Sequence, residues 1–541
     1  MHIVGPSSAA LGLKNKLKQG GFPQFSDLTL VWGCAGNAQE HTRTTWFKVG
    51  RNLSKAVSRR IGAATLVLSS GFVAITFGSL LARPAESDFK TTPQIVFVEA
   101  PKVVSGELTK RFPEGSRVVR LTTGNSPQAP VNLTPGIFAA ADPQVSFDGS
   151  KVLFSAEKAR GARWQVWEMN SDGSGQRQIT HSALDCLRPA YLPQDEIVYT
   201  AVSGKGNDST SALYVSKRDG SDAHPITFGP GNFQIETVLQ SGRLLVSAQT
   251  ALVAGGRAGD SRTLYILRTD GTGLTPFRQD PRQDIIREGA GELGDGTVLF
   301  VERTEPARRK TGGSLAWIRP GSLHNSLITQ PKTNYWSAHE LEGETLVVAK
   351  KDSAPAATNG RFDLYAFNLQ GKTLGQLIYR NPKLSSVQAV PLMPHPVPKK
   401  YWSILHPSRK IGRVICLNSY LSTGAPHGRL NTPIARVRVI TLQPDHQQER
   451  VLGDARVEKD GSFYIEVPAD HPIRFELLNA QGGVIRAQRS WVWVRTGEDM
   501  GCLGCHENKA QAPPNHWPVA LEQFDTPIAV GVAAQPQSKT H

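Results

Sequence analysis

The sequence predicts an all-β chain in which a six-bladed β-propeller is followed by a small β-sandwich. Two series of short β-type runs, six members each and spaced at about one blade, carry the first part. A Pro-rich break over Pro391–Lys400, with alternating segments beyond it, carries the second. At 541 residues more than one domain is expected, and 51 Gly with 36 Pro suit frequent turns. The 39% hydrophobic content is that of a soluble globular chain rather than a membrane bundle.

Residues 1–60 form an upstream region outside the fold, Cys34 included. Ile61–Ala82 carries no charge, stands behind Arg51, Lys55, Arg59 and Arg60, and closes on the small Ala82. A basic flank, an apolar stretch and a small-residue exit make a signal peptide. Its depth is unusual. Either translation begins nearer Val49, or residues 61–82 stay as a single membrane anchor, since 22 residues suffice to span a bilayer. Either way the chain is expected to be exported, to the periplasm in a bacterial-type cell.

Residues 91–395 hold the repeats. One series starts at Ile95, Val152, Ile197, Leu244, Val298 and Leu346, at intervals of 57, 45, 47, 54 and 48 residues. The second runs in phase through Val118–Leu121, Gln165–Met169, Ala212–Val215, Thr263–Ile266, Leu315–Ile318 and Asp363–Phe367. Asp172-Gly173, Asp219-Gly220 and Asp270-Gly271 follow three of these as tight-turn signals. The first unit lacks a strand like the one at Asp142–Gly149, and Ser385–Leu392 is expected to supply it and close the ring.

Residues 401–525 read as the sandwich, with strands over Arg413–Leu417, Ala435–Thr441, Ser462–Val467, Ile473–Leu478, Val484–Arg486 and Ser490–Val494; residues 526–541 read as a tail. In the last strand Trp491 and Trp493 fall on one face, either as sandwich core or as a wall beside a bound group.

The sandwich runs into Cys502-Leu503-Gly504-Cys505-His506. Two thiols at this spacing can add to the two vinyl groups of one haem, which leaves the adjacent His506 beside the iron. The expected cofactor is one covalent haem c on Cys502 and Cys505, with His506 as proximal ligand, so that the sandwich ends in a c-type haem-binding loop. Zinc on Cys502, Cys505, His506 and His516 is the alternative, although adjacent Cys505 and His506 suit a tetrahedral site poorly. The second axial position is open: His516 is the nearest candidate in sequence, and Met500, Tyr420, His427 and His406 lie in the same module. Cys186, beside Asp185, is either a metal ligand or a buried structural thiol.

Ala141–Gly149 followed by Trp167–Gly175 resembles a TolB-type propeller repeat. Residues 91–525 resemble the haem-bearing half of the hydrazine synthase alpha subunit family. The residues that carry this are Asp185-Cys186, Val414–Leu417, Asp460–Phe463 and Arg489–Arg495 leading into the haem motif. The resemblance implies a haem at this point and a role as an oxidoreductase subunit. It also implies a Tyr on the iron four residues beyond the motif His; here that position is Ala510, a departure that argues against carrying over hydrazine synthesis.

The formal charge is +15, which suits either plain solubility or the steering of an acidic or multi-haem redox partner, an anionic substrate or an anionic lipid headgroup toward the surface. Nucleic acid is not expected, because the basic residues are scattered and no nucleic-acid-binding motif is present. Three functions compete: an exported single-haem electron-transfer protein or subunit docking through its propeller, a haem enzyme acting on small nitrogen compounds, and a non-redox scaffold whose C-x-x-C-H holds zinc.

Overall fold

The computed structural model describes residues 93–532, apart from 124–128, 205–208, 250–261, 278–284, 305–311, 323, 332, 352–359, 423–424, 444–447, 505–516 and 523–526. The apolar stretch 61–82 and residues 533–541 of the expected tail 526–541 therefore lie outside the described residues, whereas Ile528–Ala529 of that tail is a strand paired with Phe463–Pro468. Among the described residues no helix is long and apolar enough to cross a membrane. All of them fall in one compact unit.

The regular structure of the described residues is almost wholly β. Five four-stranded antiparallel sheets follow one another in chain order, their inner strands being Ala139–Val145, Asp185–Leu192, Asn232–Val238, Ile285–Glu292 and Tyr335–Glu342. A further sheet joins the two ends of this region. Ser385–Pro391 is its inner strand and pairs antiparallel with Gln94–Ala100, placing Val390 opposite Val96 and Ser386 opposite Glu99. The late strand expected to close the ring does so.

Strand alternation explains why the sheets stack. Val152 and Phe154 point to one side, into a core shared with Val96 and Val118 of the closing sheet. Leu153, between them, points the other way into a core with Tyr191, Ile197 and Tyr199 of the next sheet. The same exchange recurs around the molecule, and Val347 and Leu364 of the last sheet pack against Ile95, Phe97 and Leu121 of the first. Each sheet thus buries both faces against its neighbours, at about 25 cal/mol per Å² of apolar area removed from water.

The turns between outer strands reinforce this. Gly220, at φ +88°, lies against the carbonyl of Ile179 in the preceding sheet, where a Cβ would collide with the oxygen. Its neighbour Asp219 accepts hydrogen bonds from the Ser221 N–H (2.9 Å) and hydroxyl (2.6 Å), fixing the turn.

The Pro-rich linker lies on the ring. The His395 N–H donates to the Phe147 carbonyl at 2.9 Å, and that of Lys399 to the Gln240 carbonyl at 3.0 Å. Beyond it two four-stranded sheets face each other. One orders Asp499–Cys502, Ile411–Cys416, Phe463–Pro468 and Ile528–Ala529; the other orders Glu449–Arg456, Arg436–Leu442, Ile473–Leu478 and Val484–Ala487. Val414, Ile465 and Val467 from the first meet Val439, Phe475 and Leu477 from the second in a common core.

The segment Ser490–Val494 corrects the sequence reading. It forms no strand and makes a single bridge, Val492 to Ile473. Freed from strand alternation, its tryptophans part company. Trp491 packs on Ile440 and Leu442 under the Arg474 guanidinium. Trp493 leaves the sandwich and enters the ring's core between Phe228 and Phe233.

Candidate functional site

The haem-type motif starts on an edge strand. Asp499–Cys502 pairs parallel with Ile411–Cys416, which sets Cys502 opposite Cys416 and Met500 opposite Val414. The ladder continues past the strand: the Leu417 N–H donates to the Cys502 carbonyl at 2.9 Å, and that of Asn418 to the Leu503 carbonyl at 3.1 Å. The chain then presses Gly504 onto the loop after Cys416. A Cβ there would stand 2.5 Å from the Leu421 carbonyl oxygen and 3.1 Å from that of Asn418, so only glycine fits between the two cysteines at this approach. Cys502 is half-buried.

Residues 505–516, with Cys505, His506, Ala510 and His516, lie outside the described residues. The chain beyond them is tied to the same region. The Val519 N–H donates to Asp460 Oδ2 at 2.9 Å, and the Ala520 N–H to the Ser462 hydroxyl at 3.0 Å. The Asp460–Ser462 turn itself touches the loop under Gly504, since the Ser419 N–H donates to the Gly461 carbonyl at 2.8 Å. Burial works against ionisation of Asp460, but the Ser462 hydroxyl and the N–H groups of Val519 and Ser462 outweigh it and hold the carboxyl below its ordinary value.

The loop under the motif carries two buried hydroxyls, Ser419 and Ser422, that have no hydrogen-bond partner among the described residues. Unsatisfied hydroxyls flanking Leu421, the residue that Gly504 touches, mark a place built to meet a further polar group. With a half-buried thiol on a strand end and a glycine replacing any bulk beside it, the described residues fit a covalently attached group.

The other candidates separate. Met500 packs in the sandwich core. The Tyr420 hydroxyl accepts the Ile434 N–H at 3.2 Å, with the Arg429 guanidinium over its ring. His427 is exposed, at φ 55° in a short turn. His406 lies against Gly497. Cys186 is a free thiol, fully buried between two sheets of the ring, and burial pushes it up to about 11. Its neighbour Asp185 is engaged with the Arg163 guanidinium (2.8 Å) and the Trp164 N–H (2.9 Å). Among the described residues no cluster of three His, Cys, Asp or Glu side chains could hold a metal ion.

Residues just before the motif, where the sequence predicts Trp493 as sandwich core or as a wall beside a bound group, join it to the ring instead. The Trp493 indole N–H donates to the Gly271 carbonyl at 2.9 Å. The Arg495 guanidinium pairs with Asp470 at 2.8 Å and lies over the Phe228 ring. The Glu498 carboxylate accepts the Arg495 N–H at 2.8 Å, and burial, with Asp270 nearby, pushes it up to about 7. The available signal was Trp491 and Trp493 close to Arg495, since Trp and Arg are enriched at interfaces.

Comparison with known proteins places this geometry. The family model of the hydrazine synthase alpha subunit middle domain matches residues 426–507, which include the loop from Pro426 and the whole C-x-x-C-H sequence. The hydrazine synthase subunit alpha of Kuenenia stuttgartiensis is 22% identical over 581 aligned positions, covering 81% of this chain and 70% of the relative. The solved structure of Kuenenia stuttgartiensis hydrazine synthase superposes with a TM-score of 0.70 at 21% identity, covering 80% of this chain and 71% of that one. A weaker likeness, TM-score 0.40 at 13% identity over 55% of this chain and 66% of the other, is to TolB from Acinetobacter baumannii. The chain therefore resembles the hydrazine synthase alpha subunit, sharing its fold over four-fifths of this sequence, and residues 426–507 match that subunit's middle domain.

Proposed function

We propose that this chain is an exported redox protein of the hydrazine synthase alpha type, carrying one covalent haem c and docking to a partner through its ring of sheets, read as a six-bladed propeller. The observation that carries the proposal is the C-x-x-C-H sequence at the end of an edge strand, inside the matched middle domain, with Gly504 seated on the loop Asn418–Leu421. Cys502 and Cys505 would hold the haem through thioether bonds and His506 would occupy the proximal position. When bound, the haem supplies one-electron exchange at its iron. The chain's own residues anchor that group: the ladder from Leu417 and Asn418 fixes Cys502 and Leu503, while Asp460 and Ser462 fix the return at Val519 and Ala520.

The Ala510 position favours electron exchange over the chemistry in the relative's name, because the Tyr that the resemblance implies there is absent. A partner chain, acidic or itself multi-haem, suits the +15 formal charge. The apolar, charge-free stretch 61–82 supports export, which covalent haem attachment requires.

A pyridine haemochrome spectrum of the purified, denatured protein tests the reading. A covalent c-type band at one haem per chain is expected, with loss of two-point attachment in Cys502→Ala. A protein that carries no covalent haem after expression with the c-type maturation machinery would overturn it.

A further inference from the structure

The inner strands of successive sheets contact one another around a common axis. Each carries an irregularity in its pairing. At three of these bulges a residue other than glycine adopts the left-handed region: Asp142 at φ 55°, Arg188 at 52° and Gln388 at 54°. Such backbone costs free energy and persists where surrounding structure or function holds it. Here the bulges surround a cavity of about 90 Å³, room for several waters or one small polyatomic ion.

The groups around the cavity form a network that is almost closed. The Arg111 guanidinium donates to both oxygens of Asp142, at 3.0 and 2.8 Å, and the Gln388 amide reaches Asp142 at 2.7 Å. Arg188 donates to Gln234 at 3.2 Å and to Glu236 at 2.5 Å, and Glu236 also accepts the Gly289 N–H at 2.7 Å and the Ser247 hydroxyl at 2.6 Å. Glu288 is held by Arg303 at 2.6 Å. The carboxylates are thereby used.

Arg262 is the exception. It lines the cavity and donates to the Gln234 amide oxygen at 2.9 Å, but its nearest carboxylate, Glu288, stands 4.0 Å away with its other oxygen on Arg303. Its remaining donors make no hydrogen bond among the described residues. Among the described residues the network sets four guanidinium groups, those of Arg111, Arg188, Arg262 and Arg303, against three carboxylates, and Arg262 is the cavity-lining cation with donors left over. Ser105 lines the same cavity, and its buried hydroxyl has no partner among the described residues. Arg262 keeps 15% of its side-chain surface exposed, so the space is not sealed.

We propose that this axial cavity binds a small planar oxyanion or carboxylate, taken by the Arg262 guanidinium with the Ser105 hydroxyl as a further donor. A guanidinium presents parallel N–H groups that match two oxygens of a carboxylate or nitrate-like anion. An anion also supplies the negative charge the network lacks, and a buried cation short of a counter-charge is costly to keep. The glutamates leave no uncommitted carboxylate for a cation. This goes beyond the proposed redox role and stands without the haem, because the lining includes no described residue of the haem motif.

Isothermal titration calorimetry of the full chain with sodium formate and sodium nitrate, against sodium chloride at equal ionic strength, tests it. Saturable binding at one site per chain in the millimolar range or tighter is expected for at least one of the two anions. Arg262→Gln should weaken it by about tenfold or more, the loss of a charge-assisted hydrogen bond. If Arg262→Gln fails to fold by circular dichroism, Ser105→Val carries the test with the same expected direction. No saturable binding of either anion, or binding that the folded variant leaves within about tenfold of the parent, overturns the proposal.

Discussion

The indole N–H of Trp493 lies 2.9 Å from the carbonyl oxygen of Gly271, and this bond crosses from the sandwich to the ring. The ring side is a turn between outer strands, and the sandwich side is the segment that leads into the C-x-x-C-H motif. The position of the motif relative to the ring is therefore set by a residue nine positions upstream of Cys502.

Trp493 is nearly buried, with both Phe228 and Phe233 edge-on to its ring. Removing so large a side chain from a packed site costs about 3–5 kcal/mol. Trp493→Ala is expected to uncouple the two parts, so that a single urea transition becomes two. Trp493→Phe retains much of the packing, loses the hydrogen bond, and should cost about 1 kcal/mol beyond the lost area. Coincident intrinsic fluorescence and circular dichroism transitions in the Ala variant would contradict this.

Gly220 and Gly161 both have positive φ, at 88° and 79°, but only Gly220 faces the neighbouring sheet. Gly161→Ala meets nothing within 4 Å and should cost about 1–2 kcal/mol, the strain of the backbone alone. Gly220→Ala adds a clash with the Ile179 carbonyl and should cost clearly more. Chemical denaturation of the pair checks the order, and equal losses would show that the turn is not a contact between sheets.

The ring was legible because each repeat has the same reason to be a strand: a short continuous apolar run bounded by turns, as in Val152–Phe154 and Leu244–Val246, the pattern of a strand buried on both faces. Closure by Ser385–Pro391 followed from the strand missing in the first unit. The strand Glu449–Arg456 was not legible, since half of its residues are charged and all but Ala455 are at least partly exposed. The site divided in the same way. C-x-x-C-H is a local signature, whereas Ser419, Ser422 and Asp460 reach the motif only through pairing between distant strands. The axial charges were hidden for that reason too: 46 residues separate Asp142 from Arg188, and the left-handed turns that aim them inward leave little trace in composition.

Cys186 has no exposed surface, and burial raises its thiol to about 11, opposed only by hydrogen bonds with Thr180 and Ser182. The thiolate is the reactive form, so the native protein should leave Cys186 unalkylated by iodoacetamide at pH 8. In denaturant the same residue should react at an ordinary rate. Peptide mapping by mass spectrometry reads both, and rapid native labelling would mean that the core between these sheets opens.

Glu498 links pH to the junction. Burial, with the Asp270 charge, raises its carboxyl to about 7 against a lowering by the Arg495 N–H and the charges of Arg495 and Arg268. A carboxyl raised on folding stabilises fully below its unfolded value near 4.5, and that contribution is lost as pH rises through 7. The unfolding free energy of the parent, minus that of Glu498→Gln, should therefore fall by about 3 kcal/mol at most between pH 4.5 and 8. A difference that is flat across this range, or that rises, would place the carboxylate in contact with solvent or fully paired with Arg495.

Gly504 offers the sharpest test of how the chain presents its motif. A methyl group there would meet the Leu421 carbonyl at 2.5 Å and the Leu421 Cβ at 2.7 Å, and the Asn418–Leu421 loop cannot yield easily because Ser419 is bonded to Gly461 and Leu421 to Asn418. The relief available is for the chain to lift from the loop after Cys502, which changes the spacing of the two thiols. Gly504→Ala should therefore fold, since the sandwich core lies elsewhere, but should carry clearly less covalent haem per chain than the parent in a haemochrome assay. Leu503→Ala, which keeps the backbone bond from Asn418, serves as the comparison and should load normally. Equal loading of Gly504→Ala and the parent would show that the approach to Leu421 does not govern attachment, and that the motif's presentation depends on other contacts.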